Sequence, residues 1–143
     1  MALLREYEAG LGVSLCFQDF EAEIAGLPGA YAPPQGQMLL ARDALDGHLI
    51  GIVAMRPIQD VPEFCEMKRL YVRASARGRG LGRTLALAVM DEASRIGYRR
   101  MCLDTLPSMI EAQGLYRSLG FRQTGISRSA PPVLLFEREL VSR

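Results

Sequence analysis

Several things are scarce in this sequence, and each absence excludes something. Neither sign of charge is in surplus: 17 basic residues face 16 acidic ones, for a net charge of +1. No broad field therefore draws the chain onto nucleic acid or an anionic membrane. The apolar run Gly47–Met55 falls far short of the about 20 residues needed to cross a bilayer. Arg5 and Glu6 put charge where a signal peptide needs its apolar segment, so a cytoplasmic protein is expected. Cysteine is sparse: Cys16, Cys65 and Cys102 are odd in number, far apart and form no C-x-x-C pair. That argues against a disulfide framework or a zinc site, and no metal is expected. His48 is the single histidine and reads as a solvated residue at a hairpin end. With no repeat or low-complexity tract, 143 residues suggest one domain over 1–143.

What is present is a clear succession of elements. Leu3, Leu4 and Tyr7, then Phe17, Phe20 and Ile24, recur at helical spacing, so the first 27 residues read as helical. Pro28 to Gly36 makes a loop. Gln37–Ala41 and His48–Met55 predict strands joined by a turn at Asp46-Gly47; Pro57–Pro62 breaks the pattern, and Phe64–Val72 predicts a third strand. A strong helix follows, with Leu81, Leu85, Ala88, Val89, Glu92 and Ile96 on one stripe and Gly97 at its end. Met101–Thr105 predicts a strand. Ser108 is expected to cap a helix running to Leu119, and Val133–Phe136 predicts a last strand. This order describes an α/β (α+β) sheet, mixed but mostly antiparallel, with helices on both faces.

The sharpest motif is Arg77-Gly-Arg-Gly-Leu-Gly82, between a strand and a helix. Glycines let a backbone approach a ligand closely, and a helix amino terminus presents unpaired N–H groups with partial positive charge. Together they suit phosphate. The spacing discriminates among phosphate loops. The mononucleotide pattern Gly-x-x-x-x-Gly-Lys-Ser/Thr needs glycine at 77 and lysine at 83, where arginines stand. The dinucleotide pattern Gly-x-Gly-x-x-Gly needs glycine at 83; Asp104 lies at a suitable distance for a ribose, but too little chain follows it for a dinucleotide domain. The pattern Arg/Gln-x-x-Gly-x-Gly/Ala is met in full by Arg77, Gly80 and Gly82.

With Glu66-Met-Lys-Arg-Leu-Tyr-Val72 before that loop, Leu103-Asp-Thr-Leu-Pro107 after it, and Ala112-Gln-Gly-Leu-Tyr-Arg-Ser-Leu-Gly-Phe121 beyond, the chain resembles the GNAT superfamily of acetyl-CoA-dependent N-acetyltransferases. The resemblance covers Gln37 to Phe121. It implies a sheet splayed near the end of the Phe64–Val72 strand, with acetyl-CoA in the opening and an amine of small-molecule or protein origin as acceptor. It further implies that backbone groups of Leu70, Tyr71 and Val72 pair with the pantetheine arm. The amides of Gly78, Arg79, Gly80, Leu81, Gly82 and Arg83 would hold the pyrophosphate, with charge added by Arg77 and Arg79.

By the same resemblance Tyr116 is a candidate to protonate the departing thiolate; a core tyrosine on an amphipathic helix is the other reading. Relatives often place a general-base glutamate where Lys68 stands here, which leaves Glu66 as the nearest candidate and Glu63 behind it. A salt-bridged strand carboxylate reads equally well, and Asp104 is expected to pair with Lys68 or Arg100. Most relatives begin with a strand before the first helix, whereas this chain reads as starting in that helix. Either the sheet lacks an edge strand, leaving an edge for a homodimer partner to cover, or another segment fills it. A non-catalytic acyl-CoA-binding module is the alternative function, and a dinucleotide-binding domain the less favoured one.

Overall fold

The computed structural model describes residues 29–128 and 130–140. The helical reading of the first 27 residues, the helices expected on a second face and the question of a first strand lie outside them. Among the described residues six strands form one sheet: β1 (Gln37–Arg42), β2 (Leu49–Ile58), β3 (Val61–Val72), β4 (Arg100–Thr105), β5 (Arg122–Ser127) and β6 (Val133–Glu139). Their spatial order is β1-β2-β3-β4-β6-β5, and only the β3–β4 pair is parallel. Helix α1 (Leu81–Ile96) makes the parallel crossover from β3 to β4, and α2 (Ile110–Ser118) links β4 to β5. Both pack on one face. Met55, Met67, Met101 and Phe136 from the sheet meet Leu85, Val89, Tyr116 and Leu119 from the helices in a single buried cluster.

The mixed, mostly antiparallel sheet is as the sequence predicts; the details correct it in four places. Pro57 does not break the chain's pairing. It lies in β2 opposite Cys65, past the end of the β1–β2 ladder at Gln37↔Met55, where its missing N–H deprives no β1 partner. The turn is only Gln59-Asp60, with Asp60 at φ 66. Ser108 does not cap α2: the cap position falls on Met109 without a side-chain bond. The buried Gln113 instead donates from Nε2 to the carbonyls of Leu106 (3.2 Å) and Pro107 (3.0 Å), tying the helix to the loop before it. The buried stripe of α1 is Leu85, Ala86, Val89, Met90, Ala93 and Ser94, rotated from the predicted one, and Ala88 is exposed. Gly51 shows why: a Cβ there would come within 2.8 Å of Leu85 Cδ1, so small residues bring α1 close to β2. Finally, Arg122–Ser127 is an edge strand that the sequence reading missed.

The His48 turn is as expected. His48 is exposed, 3.5 Å from Asp46, and its N–H is received by Asp46 Oδ1 at 2.8 Å. No helix among the described residues is long and apolar enough to cross a membrane.

Candidate active site

β3 is the longest strand, at 12 residues, yet its ladder to β4 has three rungs: Phe64↔Arg100, Cys65↔Met101 and Glu66↔Cys102. Beyond Glu66 the two strands part. Arg69 marks the departure. Its φ of 61 is rare for a side chain that is not glycine, and the β2–β3 register slips there, from Ala54↔Lys68 to Ile52↔Tyr71. The extra residue changes which positions face the helices: Cys65 and Met67 before it, Leu70 and Val72 after it. Leu70, Tyr71 and Val72 thus follow a bulge, along a stretch of β3 that no rung joins to β4.

The loop after β3 is exposed from Arg77 to Gly80 and anchored by the buried Ala76. Gly78 and Gly80 take φ of 85 and 73, which L side chains rarely adopt, and Gly80 caps α1. Thr84 N–H is the first amide after Arg77 to find a backbone acceptor, the Gly80 carbonyl at 3.1 Å. The amides of Gly78 to Arg83 have none among the described residues. The result is a run of N–H groups at the positive end of a four-turn helix, beside the place where the sheet opens.

The arginines are turned partly to the protein. Arg77 Nε donates to the Val72 carbonyl at 2.9 Å, with its guanidinium over the Tyr71 ring at 5.5 Å, so this side chain fixes the path from strand to loop. Arg79 donates to the Ser75 carbonyl at 3.3 Å. Arg83 donates to Ser118 Oγ at 3.1 Å and joins the start of α1 to the end of α2. Position 82 completes the junction: a Cβ there would meet Leu115 at 3.7 Å and Val72 at 3.9 Å.

Tyr116 is buried, edge-on to Phe121 with ring centroids 6.0 Å apart and tilted against Phe136 at 6.4 Å. Glu66 stands in the last rung, its Oε1 held by Arg56 Nε at 2.6 Å. Glu63 lies nearer the far end of β3 and pairs loosely with Arg99 at 3.8 Å. Of the two partners expected for Asp104, the structure selects Lys68, at 3.6 Å; Arg100 is taken by Glu137 and Glu139, each at 3.1 Å. Sequence reasoning placed no role on Gln113 or on the Arg69 bulge. The slip in apolar alternation from Met67 to Leu70 was the available signal for the second.

Neither described thiol is a nucleophile at neutral pH. Burial, with help from Cys102 and Glu66, pushes Cys65 up to about 12. Burial and the neighbouring Glu137 push Cys102 up to about 11. The ordinary value is 9.0, so both protons are held more tightly in the folded chain than in the unfolded one. Their contribution to stability is complete below pH 9.0 and is lost as pH rises through the folded values. Unfolding free energy in urea should therefore fall above pH 9.0, by up to about 1.4 kcal/mol per pH unit for each thiol, and fall less in Cys65→Ala. An equal alkaline slope in the wild type and the variant would contradict it.

The profile of the Acetyltransferase (GNAT) family matches residues 6–121. The chain is 43% identical over 122 residues to an uncharacterized N-acetyltransferase of Schizosaccharomyces pombe, covering 85% of this chain and 74% of that one. It is 32% identical over 105 residues to the N-acetylaspartate synthetase of Rattus norvegicus, covering 73% of this chain and 34% of that protein, of which it therefore spans about a third. Among solved structures, a Bacillus subtilis acetyltransferase in complex with CoA aligns with a TM-score of 0.65 at 20% identity, over 75% of this chain and 78% of that one.

Proposed function

Since the chain belongs to the acetyltransferase (GNAT) family of enzymes, we propose that it transfers the acetyl group of acetyl-CoA to a primary amine by direct attack. The run of unpaired amides from Gly78 to Arg83 carries this reading. Such a run at a helix amino terminus fits the pyrophosphate of coenzyme A, and the unladdered edge of β3 beyond Glu66 offers the pantetheine arm a strand to pair with.

In the reaction the ammonium of the acceptor first gives a proton to water. The neutral nitrogen attacks the thioester carbon, its C–N bond forms, and the C–S bond breaks as the tetrahedral oxyanion collapses. Backbone N–H groups of β3 near the bulge stabilise that oxyanion, commonly the largest contribution in acyl transfer. The second amine proton passes to water, the thiolate takes a proton from the Tyr116 hydroxyl, and the resulting phenolate is reprotonated from water. The net products are amide, thiol and one proton. The raised thiols of Cys65 and Cys102 favour this path over a covalent acetyl-enzyme. Glu66, already accepting from Arg56, serves better as a fixed charge at the mouth of the opening than as a base.

Acetyl-CoA at 100 times its dissociation constant should stabilise the fold by about 2.7 kcal/mol, while NAD, NADP and ATP should not. Denaturation with each ligand measures this. A clear shift with NAD and none with acetyl-CoA would return the loop to dinucleotide binding. Thiol release across an amine panel then tests turnover, and binding without turnover on every amine would make the chain a binding module.

A further inference from the structure

Past the last β3–β4 rung, on the face turned away from the two helices, the next residues to meet across the widening gap are Lys68 and Asp104. The Lys68 side chain is only 6% exposed, against 31% for Asp104. Their separation of 3.6 Å is too long for a good hydrogen bond. The other half-buried ion pairs nearby are closed, Arg56–Glu66 at 2.6 Å and Arg100–Glu137 at 3.1 Å. Asp104 is also the sole partner of Lys68 among the described residues. Among the described residues no buried side-chain nitrogen or oxygen lacks a partner, so Nζ, which makes no hydrogen bond to them, is not sealed away.

A lysine that buries its stem while its ammonium makes no hydrogen bond to the protein gains little from a loose, half-buried ion pair, and its donors are left for water or for a ligand. We propose that Lys68 and Asp104 form the acceptor site, and that the acceptor is a free α-amino acid. This rests on the acetyl-transfer reading and names its substrate class. Asp104 would receive the acceptor's ammonium and Lys68 would hold its carboxylate. Two contacts of about 2.8 Å would then close a ring of alternating charges with the 3.6 Å pair. A peptide amino terminus or a polyamine offers Asp104 the same ammonium but gives Lys68 no carboxylate. The nitrogen so placed lies where β3 and β4 part, beside the strand edge proposed for the thioester. It still loses its proton to water before attack.

The test is thiol release by the full chain with acetyl-CoA and matched acceptors: α-amino acids, their α-amides, the corresponding decarboxylated amines and a short peptide. The expected result is a kcat/KM at least about thirtyfold higher for the best amino acid than for its amide. Lys68→Met should raise KM for that amino acid tenfold or more, with less change in kcat, and bring the acid-to-amide ratio close to one. Lys68→Arg should restore part of the preference. Acetyl-CoA calorimetry on each variant reports whether the fold persists, and the wild-type panel decides the question even if Lys68→Met does not fold. Equal turnover of amides and acids, or a preference that survives Lys68→Met, overturns the acceptor site while leaving acetyl transfer intact. No turnover of any amine, with acetyl-CoA still bound, overturns both.

Discussion

Valine at position 82 should weaken acetyl-CoA binding by about a hundredfold while the chain stays folded. Gly82 lies in the first turn of α1, within the amide run, where the fold itself does not require glycine. Its φ is not positive, and a Cβ would make ordinary contacts with Leu115 and Val72. In a helix, replacing glycine generally gains stability, about 1 kcal/mol for alanine and less for valine. The branched methyls of valine, however, would fill the junction between the end of β3, α1 and α2, where the proposed coenzyme arm would pass to reach the unladdered edge. Losing two hydrogen bonds to charged phosphate, at about 1.5 kcal/mol each, corresponds to about two orders of magnitude.

Gly80→Val would block the same approach but is a poorer probe. Gly80 holds φ 73, and an L side chain there costs about 1–2 kcal/mol before any ligand is considered. Calorimetry of acetyl-CoA alongside urea unfolding separates the two effects. A folded Gly82→Val protein with wild-type affinity would show that the amide run is not the phosphate site.

How well the sequence disclosed the molecule depended on what each residue's role required. The loop was legible because its path demands glycine at fixed positions: Gly78 and Gly80 take conformations that only glycine adopts readily. The core strands were legible because β2 and β3 bury one or both faces. β5 was not: Arg122, Gln123 and Thr124 are exposed on an edge strand, which carries almost no apolar alternation. The stripe of α1 was misplaced because alanine is apolar wherever it falls. Ala86 and Ala93 are buried for close approach to the sheet, whereas Ala88 faces out. The Lys68–Asp104 pairing was left open because sequence separation says little about which cross-strand partner wins. The answer came from Arg100, whose fork fits the two carboxylates of β6.

The remaining large effect is expected at Tyr116. Tyr116→Phe should lower kcat by about a hundredfold while leaving acetyl-CoA affinity nearly unchanged. The substitution keeps the ring, and with it the edge-on contact to Phe121 and the tilted one to Phe136, so the buried cluster between α2 and β6 loses no volume. Only the hydroxyl goes. If that hydroxyl protonates the departing thiolate, its loss is felt in the transition state and scarcely in the ground state, which separates kcat from binding. General-acid contributions run from about 100- to 10,000-fold, and the low end applies here because a thiol with a pKa of about 8.5 is already a fair leaving group near neutrality. The deficit should shrink further with a more acidic leaving thiol, such as an activated aryl thioester, since a stable thiolate needs no proton. Steady-state kinetics on both thioesters, with coenzyme affinity measured directly, supply the readout. Unchanged turnover in Tyr116→Phe would leave the residue as a core aromatic, and the thiolate would take its proton from solvent.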